Sequence, residues 1–252
     1  MTSDLTLNVE DLTFAYGRTP VLRDVTLPPV RATEITAVIG PNAAGKSTLL
    51  RCIAGFRRAR GTISIDGSTT RGGVLYMPQD PPAPSSITVF EAVLVAHRLS
   101  GTRGTAAEHE RHVAATLAEL QLDDLATRRL ADLSGGQRQM VGLAQAVTRR
   151  PDVLLLDEPT SSLDLRNQLQ VLRLVRRIAE GQPAAVLAIV HDLALAARIA
   201  DQVVVLHDGA VYAHGRPAEV ITAEMMKDVY QVLGAVHIMP DGTLTVAVTD
   251  SA

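Results

Sequence analysis

Tryptophan is absent from this 252-residue chain, only three phenylalanines and four tyrosines occur, and aromatics total 3%. Proteins that grip single-stranded nucleic acid stack bases on such rings. The formal net charge of -3 also withholds the basic surface that a phosphate backbone demands. No nucleic-acid partner is therefore expected. One cysteine, Cys52, excludes an internal disulfide and fits a reducing compartment. Long apolar runs are missing too: stretches such as AAVLAIV at 184–190 fall far short of the roughly 20 residues of a membrane span. If the protein works at a membrane, another chain must cross it. The acidic opening MTSDLTLNVED lacks the apolar centre of a secretory signal.

What is present is an alternation of strands and helices, in a composition (46% hydrophobic, 20% charged) ordinary for a soluble domain. LTLNVEDLTFAY at 5–16, VLRDVTL at 21–27, EITAVIG at 34–40, TISIDG and VLYMPQ read as strands, and STLLRCIAGF as a helix ending near Gly55. From residue 80 the character changes. DPPAPSS gives way to an Ala-rich segment with Thr105-x-x-Glu108 as a capping box and Val113, Leu117 and Leu120 on one face. A helical insert is expected there. After 151 come DVLLLDEP, a helix over about 165–180, AVLAIVHD, another helix and QVVVLHDG, the pattern of an α/β fold with buried parallel strands. HDGAVY and PDGTLT are hairpin signals on either side of a Met-containing helix at about 218–233.

Three stretches carry chemistry. GPNAAGKST at 40–48 matches the phosphate-loop pattern G-x-x-x-x-G-K-[ST], set between a strand and a helix. The backbone from Gly40 through Pro41, Asn42, Ala43, Ala44 and Gly45 would cradle phosphates. Lys46 would add a cation, and Ser47, followed by Thr48, a hydroxyl for Mg²⁺. In VLLLDEPTSSLD, four apolar residues carry Asp157 and Glu158 to a strand end. Asp157 is a candidate Mg²⁺ ligand, direct or through water, and Glu158 a candidate for orienting and polarising the attacking water. In LSGGQ at 133–137, Ser134-x-x-Gln137 forms a capping box, with Met140, Ala144 and Val147 as the following apolar face. A cap does not require Gly135 and Gly136, which are poor helix formers but suit close approach of a backbone to an anion. Both readings, cap and phosphate contact, stand at this point.

GPNAAGKST, LSGGQ and LLLDEPTSSLD, together and in this order, resemble the ATPase subunits of ABC transporters, and the resemblance spans essentially the whole chain. It implies a single ABC ATPase domain over 1–252. The fold would be α/β: a P-loop NTPase core with an N-terminal antiparallel β subdomain and a helical subdomain inserted at about 80–150. ATP and Mg²⁺ would be the cofactors. By position in the family pattern, Tyr16 would stack on adenine, and Gln79 would sense Mg²⁺ and water. Asp164 would contact an opposite subunit and His191 the γ-phosphate. Ser134, Gly135, Gly136 and Gln137 would close over ATP held by a second subunit packed head to tail. Ala43 departs from the family's usual glycine, and the stretch from Gly40 to Gln79 is shorter than in most members.

The run HDLALAARIADQVVVLHDGAVYAHGRPAEVITAEMMKDVY is similar to subunits that energise uptake of iron–siderophores, haem or cobalamin, although Asn167 stands where those commonly carry His. That likeness implies a homodimer (or a heterodimer with a similar ATPase), integral-membrane permease subunits and an extracytoplasmic substrate-binding protein. It also implies a peripheral place on the cytoplasmic face of the membrane. The alternative is a soluble ABC-family ATPase acting on nucleic acid or the ribosome, whose usual tandem cassettes, coiled coils or basic surfaces are not seen here. His97, His109, His112, His207, His214 and His237 show no metal-ligand spacing and read as surface or packing residues. The arginine clusters at 57–60, 149–150 and 176–177 read as solvated faces, with phosphate sites as the alternative.

Overall fold

The computed structural model describes residues 5–67, 73–161, 163–181, 184–240 and 244–251. The chain opens with strands β1 (Thr6–Tyr16), β2 (Thr19–Val25), β3 (Val30–Arg31) and β4 (Ile35–Ile39), followed by helix α1 (Lys46–Ile53), β5 (Arg60–Asp66) and β6 (Val74–Met77). Helices α2 (Val89–Arg98), α3 (Ala106–Glu119) and α4 (Gly135–Val147) then run without a strand between them. Alternation resumes with β7 (Val153–Leu156), α5 (Leu165–Gly181), β8 (Ala185–Ile189), α6 (Leu193–Ile199) and the pair β9 (Gln202–His207) and β10 (Ala210–Gly215). The chain closes with α7 (Pro217–Val220), α8 (Ala223–Tyr230), β11 (Val232–Ile238) and β12 (Leu244–Ser251).

Six strands form the central sheet in the order β10-β9-β4-β8-β7-β6, parallel except for β10. Its strands read as unbroken apolar runs because both faces are covered. On β4, Ile35, Ala37 and Ile39 enter one core while Val38 enters the other; on β7, Leu154 and Leu156 oppose Val153 and Leu155. The first core lies under α4, α5, α6 and α8. The second is closed by the N-terminal antiparallel sheet, in which β1 pairs with β2, β3 and β5, and by Leu49, Leu50 and Ile53 of α1. Each such leucine, fully withdrawn from water, contributes about 1.5–3 kcal/mol.

The helical segment begins with three capping boxes: Thr88 with Glu91 for α2, Thr105 with Glu108 for α3, and Ser134 with Gln137 for α4. Val113, Leu117 and Leu120 are buried as one face of α3. The β9–β10 hairpin turns on Asp208 and Gly209, both at positive φ (47° and 77°), as Asp-Gly favours.

One expected element is corrected. The single helix at about 218–233 is two helices, because the Thr222 side chain accepts the Met225 N–H and starts a new one. Gln231, left-handed at φ 57°, then ends it, and β11 begins at Val232. The second hairpin signal lies at 241–243, outside the described residues, but β11 and β12 on either side pair antiparallel.

Candidate active site

In an open parallel sheet, ligands bind beyond the carboxyl ends of the strands. Four neighbouring strands, β4, β8, β7 and β6, end here side by side. The segments leaving them carry the phosphate loop, His191, the Asp157–Glu158 pair and Gln79. Leu156 aligns with Ala188, and Val38 with Ile189, so these ends lie at one level.

The phosphate loop leaves β4 at Gly40, whose φ is 147° and where a Cβ would sit 2.1 Å from the Leu206 carbonyl oxygen. Only glycine fits. The loop turns left-handed again at Ala43 (φ 63°) and at Gly45 (φ 101°), the residue before α1. Lys46 is buried, and its Nζ donates to the carbonyls of Gly40 and Pro41, each at 2.8 Å. Burial pushes its pKa down, while the Glu158 and Asp157 carboxylates hold it up. Ala44 is buried as well, and Thr48 lies one turn into the helix.

Asp157 is 2% exposed. One carboxylate oxygen accepts the Ser47 hydroxyl at 2.9 Å and the other the Tyr76 hydroxyl at 2.6 Å. Tyr76, on β6, also accepts the Arg51 Nε–H at 3.4 Å, and its pKa is pushed up to about 12 by burial and then by Asp157. Glu158 follows at φ 53°. Its carboxylate is held between Gln79 Nε2 at 2.8 Å and His191 Nε2 at 2.5 Å.

Val21, Asn42, Ala43, Gly45, Lys46, Ser47, Thr48, Glu158 and His191 surround one cavity of about 260 Å³. Ser134, Gly135, Gly136, Gln137 and Asp164 do not line it. The capping box uses Ser134 Oγ and Gln137 Oε1 within α4 itself (3.2 and 3.0 Å). Asp164 accepts the Asn167 N–H at 2.8 Å and its amide Nδ2 at 3.0 Å. That amide lies 3.2 Å from where a Cβ on Gly136 would stand, whereas a Cβ on Gly135 meets open space. Tyr16 also lies outside the cavity lining, half exposed at the end of β1, edge-on to Phe14 at 4.8 Å, with the Arg57 guanidinium 5.9 Å from its ring. A hydrogen bond from Arg57 lowers its hydroxyl pKa.

Tyr76 was not singled out from the sequence, because a tyrosine on a short strand carries no signal of what it faces. His97 is buried and stacks on His112 at 4.3 Å, as a packing residue would, although the cluster it forms is not visible in the sequence. One expectation about surface residues is corrected. Arg176 is not simply solvated: its guanidinium pairs with Asp201 at 2.8 Å.

A magnesium ion fits the donor set. Two cis ligands of an octahedral Mg²⁺ stand about 3 Å apart for oxygen distances of about 2.1 Å, and Ser47 Oγ and Asp157 Oδ1 are 2.9 Å apart. Both are hard oxygen donors, and Asp157 is already oriented from behind by Tyr76.

The model of the ABC transporter family matches residues 22–161. The chain is 39% identical to a haemin import ATP-binding protein of Thermobifida fusca, over 89% of this chain and 81% of that one. It is 34% identical to an iron(3+)-hydroxamate import ATP-binding protein of Bacillus subtilis, over 90% and 88%. A solved structure described as an inward-facing metal-chelate type ABC transporter superposes with a TM-score of 0.84 at 27% identity, covering 98% of both chains. Fold, phosphate loop and relatives agree: the chain belongs to the ABC transporter family, as one of its ATP-binding, ATP-hydrolysing subunits.

Proposed function

We propose that this protein is the ATPase of an importer for metal chelates, working as a head-to-tail dimer beneath a membrane permease. One observation supports the dimer: Lys46, Ser47, Glu158 and His191 line one cavity, and the Ser134–Gln137 helix start is not among its lining residues. A second copy of the chain supplies what is missing. Its Ser134 and the N–H groups of Gly135 and Gly136 would meet the γ-phosphate, with the helix dipole assisting. Asp164 would touch that same neighbour.

Within one protomer, Lys46 releases the Gly40 and Pro41 carbonyls and takes the β- and γ-phosphates. Tyr16 stacks on adenine. Ser47 and Asp157, with Gln79, would hold Mg²⁺, which would neutralise charge on the phosphates. Glu158, gripped by Gln79 and His191, orients and polarises the attacking water, and His191 reaches the γ-phosphate.

The whole chain acts as one ATPase domain, the helical segment at about 80–150 being part of it. Among the described residues no helix is long and apolar enough to cross a membrane, so translocation falls to permease partners. The ATPase sits peripherally on the cytoplasmic face, and an extracytoplasmic binding protein delivers cargo. Relatives named for haemin, iron(3+)-hydroxamate and cobalamin import support metal chelates as the cargo class. The test is purification from native membranes. Recovery with a polytopic permease, and metal-chelate uptake lost on Lys46→Ala, is the expected result. Recovery with ribosomes or nucleic acid would overturn the transport reading.

A further inference from the structure

Where α2 ends, α3 begins and α4 stops, a second cavity of about 280 Å³ opens, sharing no lining residue with the nucleotide cavity. His97 of α2, Thr102 and Arg103 of the connecting loop, Glu108, His109 and His112 of α3, and Thr148, Arg149 and Arg150 after α4 surround it. Three arginines and one glutamate thus line it. The glutamate is engaged: Glu108 accepts the Thr105 N–H at 2.7 Å and its hydroxyl at 3.0 Å in the α3 cap. Among the described residues, Arg103, Arg149 and Arg150 have no ion-pair or hydrogen-bond partner for their side chains. In the wall, Thr148 is 2% exposed, and its hydroxyl is buried without a hydrogen-bond partner.

One carbonyl sets the protons of the histidines. The Thr148 carbonyl oxygen lies 3.1 Å from His97 Nδ1 and 3.2 Å from His112 Nε2. A carbonyl only accepts, so both nitrogens carry hydrogen. In a neutral cluster His97 Nε2 then accepts from His109 Nδ1, 3.0 Å away. His109 Nε2 and His112 Nδ1 are left without protons, beside three arginines. A cation is repelled there; an anion is welcomed, and each proton it draws in adds a donor.

We propose that this cavity is a binding site for a small soluble phosphate-class oxyanion, held by Arg103, Arg149 and Arg150 with the Thr148 hydroxyl and the histidine cluster as further donors. Geometry supports it: three arginines without a partner among the described residues line the same cavity as a threonine whose hydroxyl is buried and unpartnered. Burial, followed by His97, pushes the pKa of His112 down, with smaller contributions from Arg150 and His109. An anion reverses those repulsions, so binding takes up protons and tightens as pH falls.

The experiment titrates the full chain, its nucleotide site filled with Mg²⁺ and a non-hydrolysable ATP analogue, with inorganic phosphate and with pyrophosphate. Histidine ring NMR signals provide the readout. Saturable shifts confined to His97, His109 and His112 are expected, with affinity rising between pH 8 and pH 6. Arg103→Ala and Arg150→Ala, both at exposed positions, should each weaken binding about tenfold, as loss of a charged hydrogen bond does. Thr148→Val should weaken it less. All three variants should keep wild-type ATPase activity. The site is overturned if no saturable shift appears, or if the Arg103→Ala/Arg150→Ala pair binds as tightly as wild type. Equal shifts in His207, His214 and His237, a mere ionic-strength effect, would overturn it too.

Discussion

A methyl group strains the phosphate loop. Ala43 is exposed and left-handed at φ 63°, a conformation that costs a residue with a Cβ about 1 kcal/mol. Ala43→Gly removes the strain, and the looser unfolded chain takes part of the gain back. We expect urea unfolding to show up to about 1 kcal/mol of added stability with ATPase unchanged; a large activity loss would give the methyl a role in the site. Tyr76 acts at one remove, by holding Asp157 from behind. Tyr76→Phe leaves a buried carboxylate oxygen without its donor, a cost of about 1–3 kcal/mol. In kinetics, kcat/KM should fall about tenfold and half-saturating Mg²⁺ should rise. Unchanged values on both counts would remove Tyr76 from positioning. Glu158→Gln should retain ATP affinity, stop turnover and accumulate an ATP-bound dimer on size-exclusion chromatography. Hydrolysis at the wild-type rate would free Glu158 of its assigned role.

Among elements, the three-helix segment is the one that pH should loosen first. Folding depresses the pKa of His112 below its ordinary 6.5, so the unfolded chain binds more protons in the window just beneath that value. Stability therefore rises with pH through this window, is complete above it, and is lost as pH falls toward the folded pKa. Hydrogen exchange should find α2, α3 and the end of α4 opening more readily at pH 5.5 than at pH 7.5, with the central sheet unaffected. Uniform protection at both values would contradict this. The same segment shows what the sequence makes legible. Its capping boxes at 105 and 134 can be read directly, because a cap is a local bond between residues three apart. The strands leading to Gly40, Asp157 and His191 are equally plain, since a strand covered on both faces must be apolar throughout. The histidine cluster is not legible. His97 lies on one helix and His109 and His112 on the next, and only the crossing of α2 and α3 over the end of α4 brings them together. Tyr76 is hidden for the same reason: what it faces is decided by the neighbouring strand, β7.

For the molecule as a whole, the question is whether each signature helix serves its own nucleotide or a neighbour's. Gly135, not Gly136, is the residue on which to ask it. A side chain at 136 meets Asn167 and Leu163 within the same protomer, whereas one at 135 finds open space. Gly135→Asp should therefore fold normally and bind ATP as wild type does, yet neither dimerise with ATP nor hydrolyse it. Loss of ATP binding by the isolated variant would mean that the helix serves its own cavity. Normal dimerisation and turnover would leave the glycines as a cap and nothing more.

The exposed ring of Tyr16 has an optical consequence. Since the chain contains no tryptophan, Tyr16→Trp would install a single tryptophan beside Arg57, where the proposed adenine contact would be made. Its emission would have no other tryptophan to compete with. Quenching on adenine stacking, followed by a second change as a neighbouring protomer arrives, would separate in real time two events that a steady-state ATPase rate merges into one.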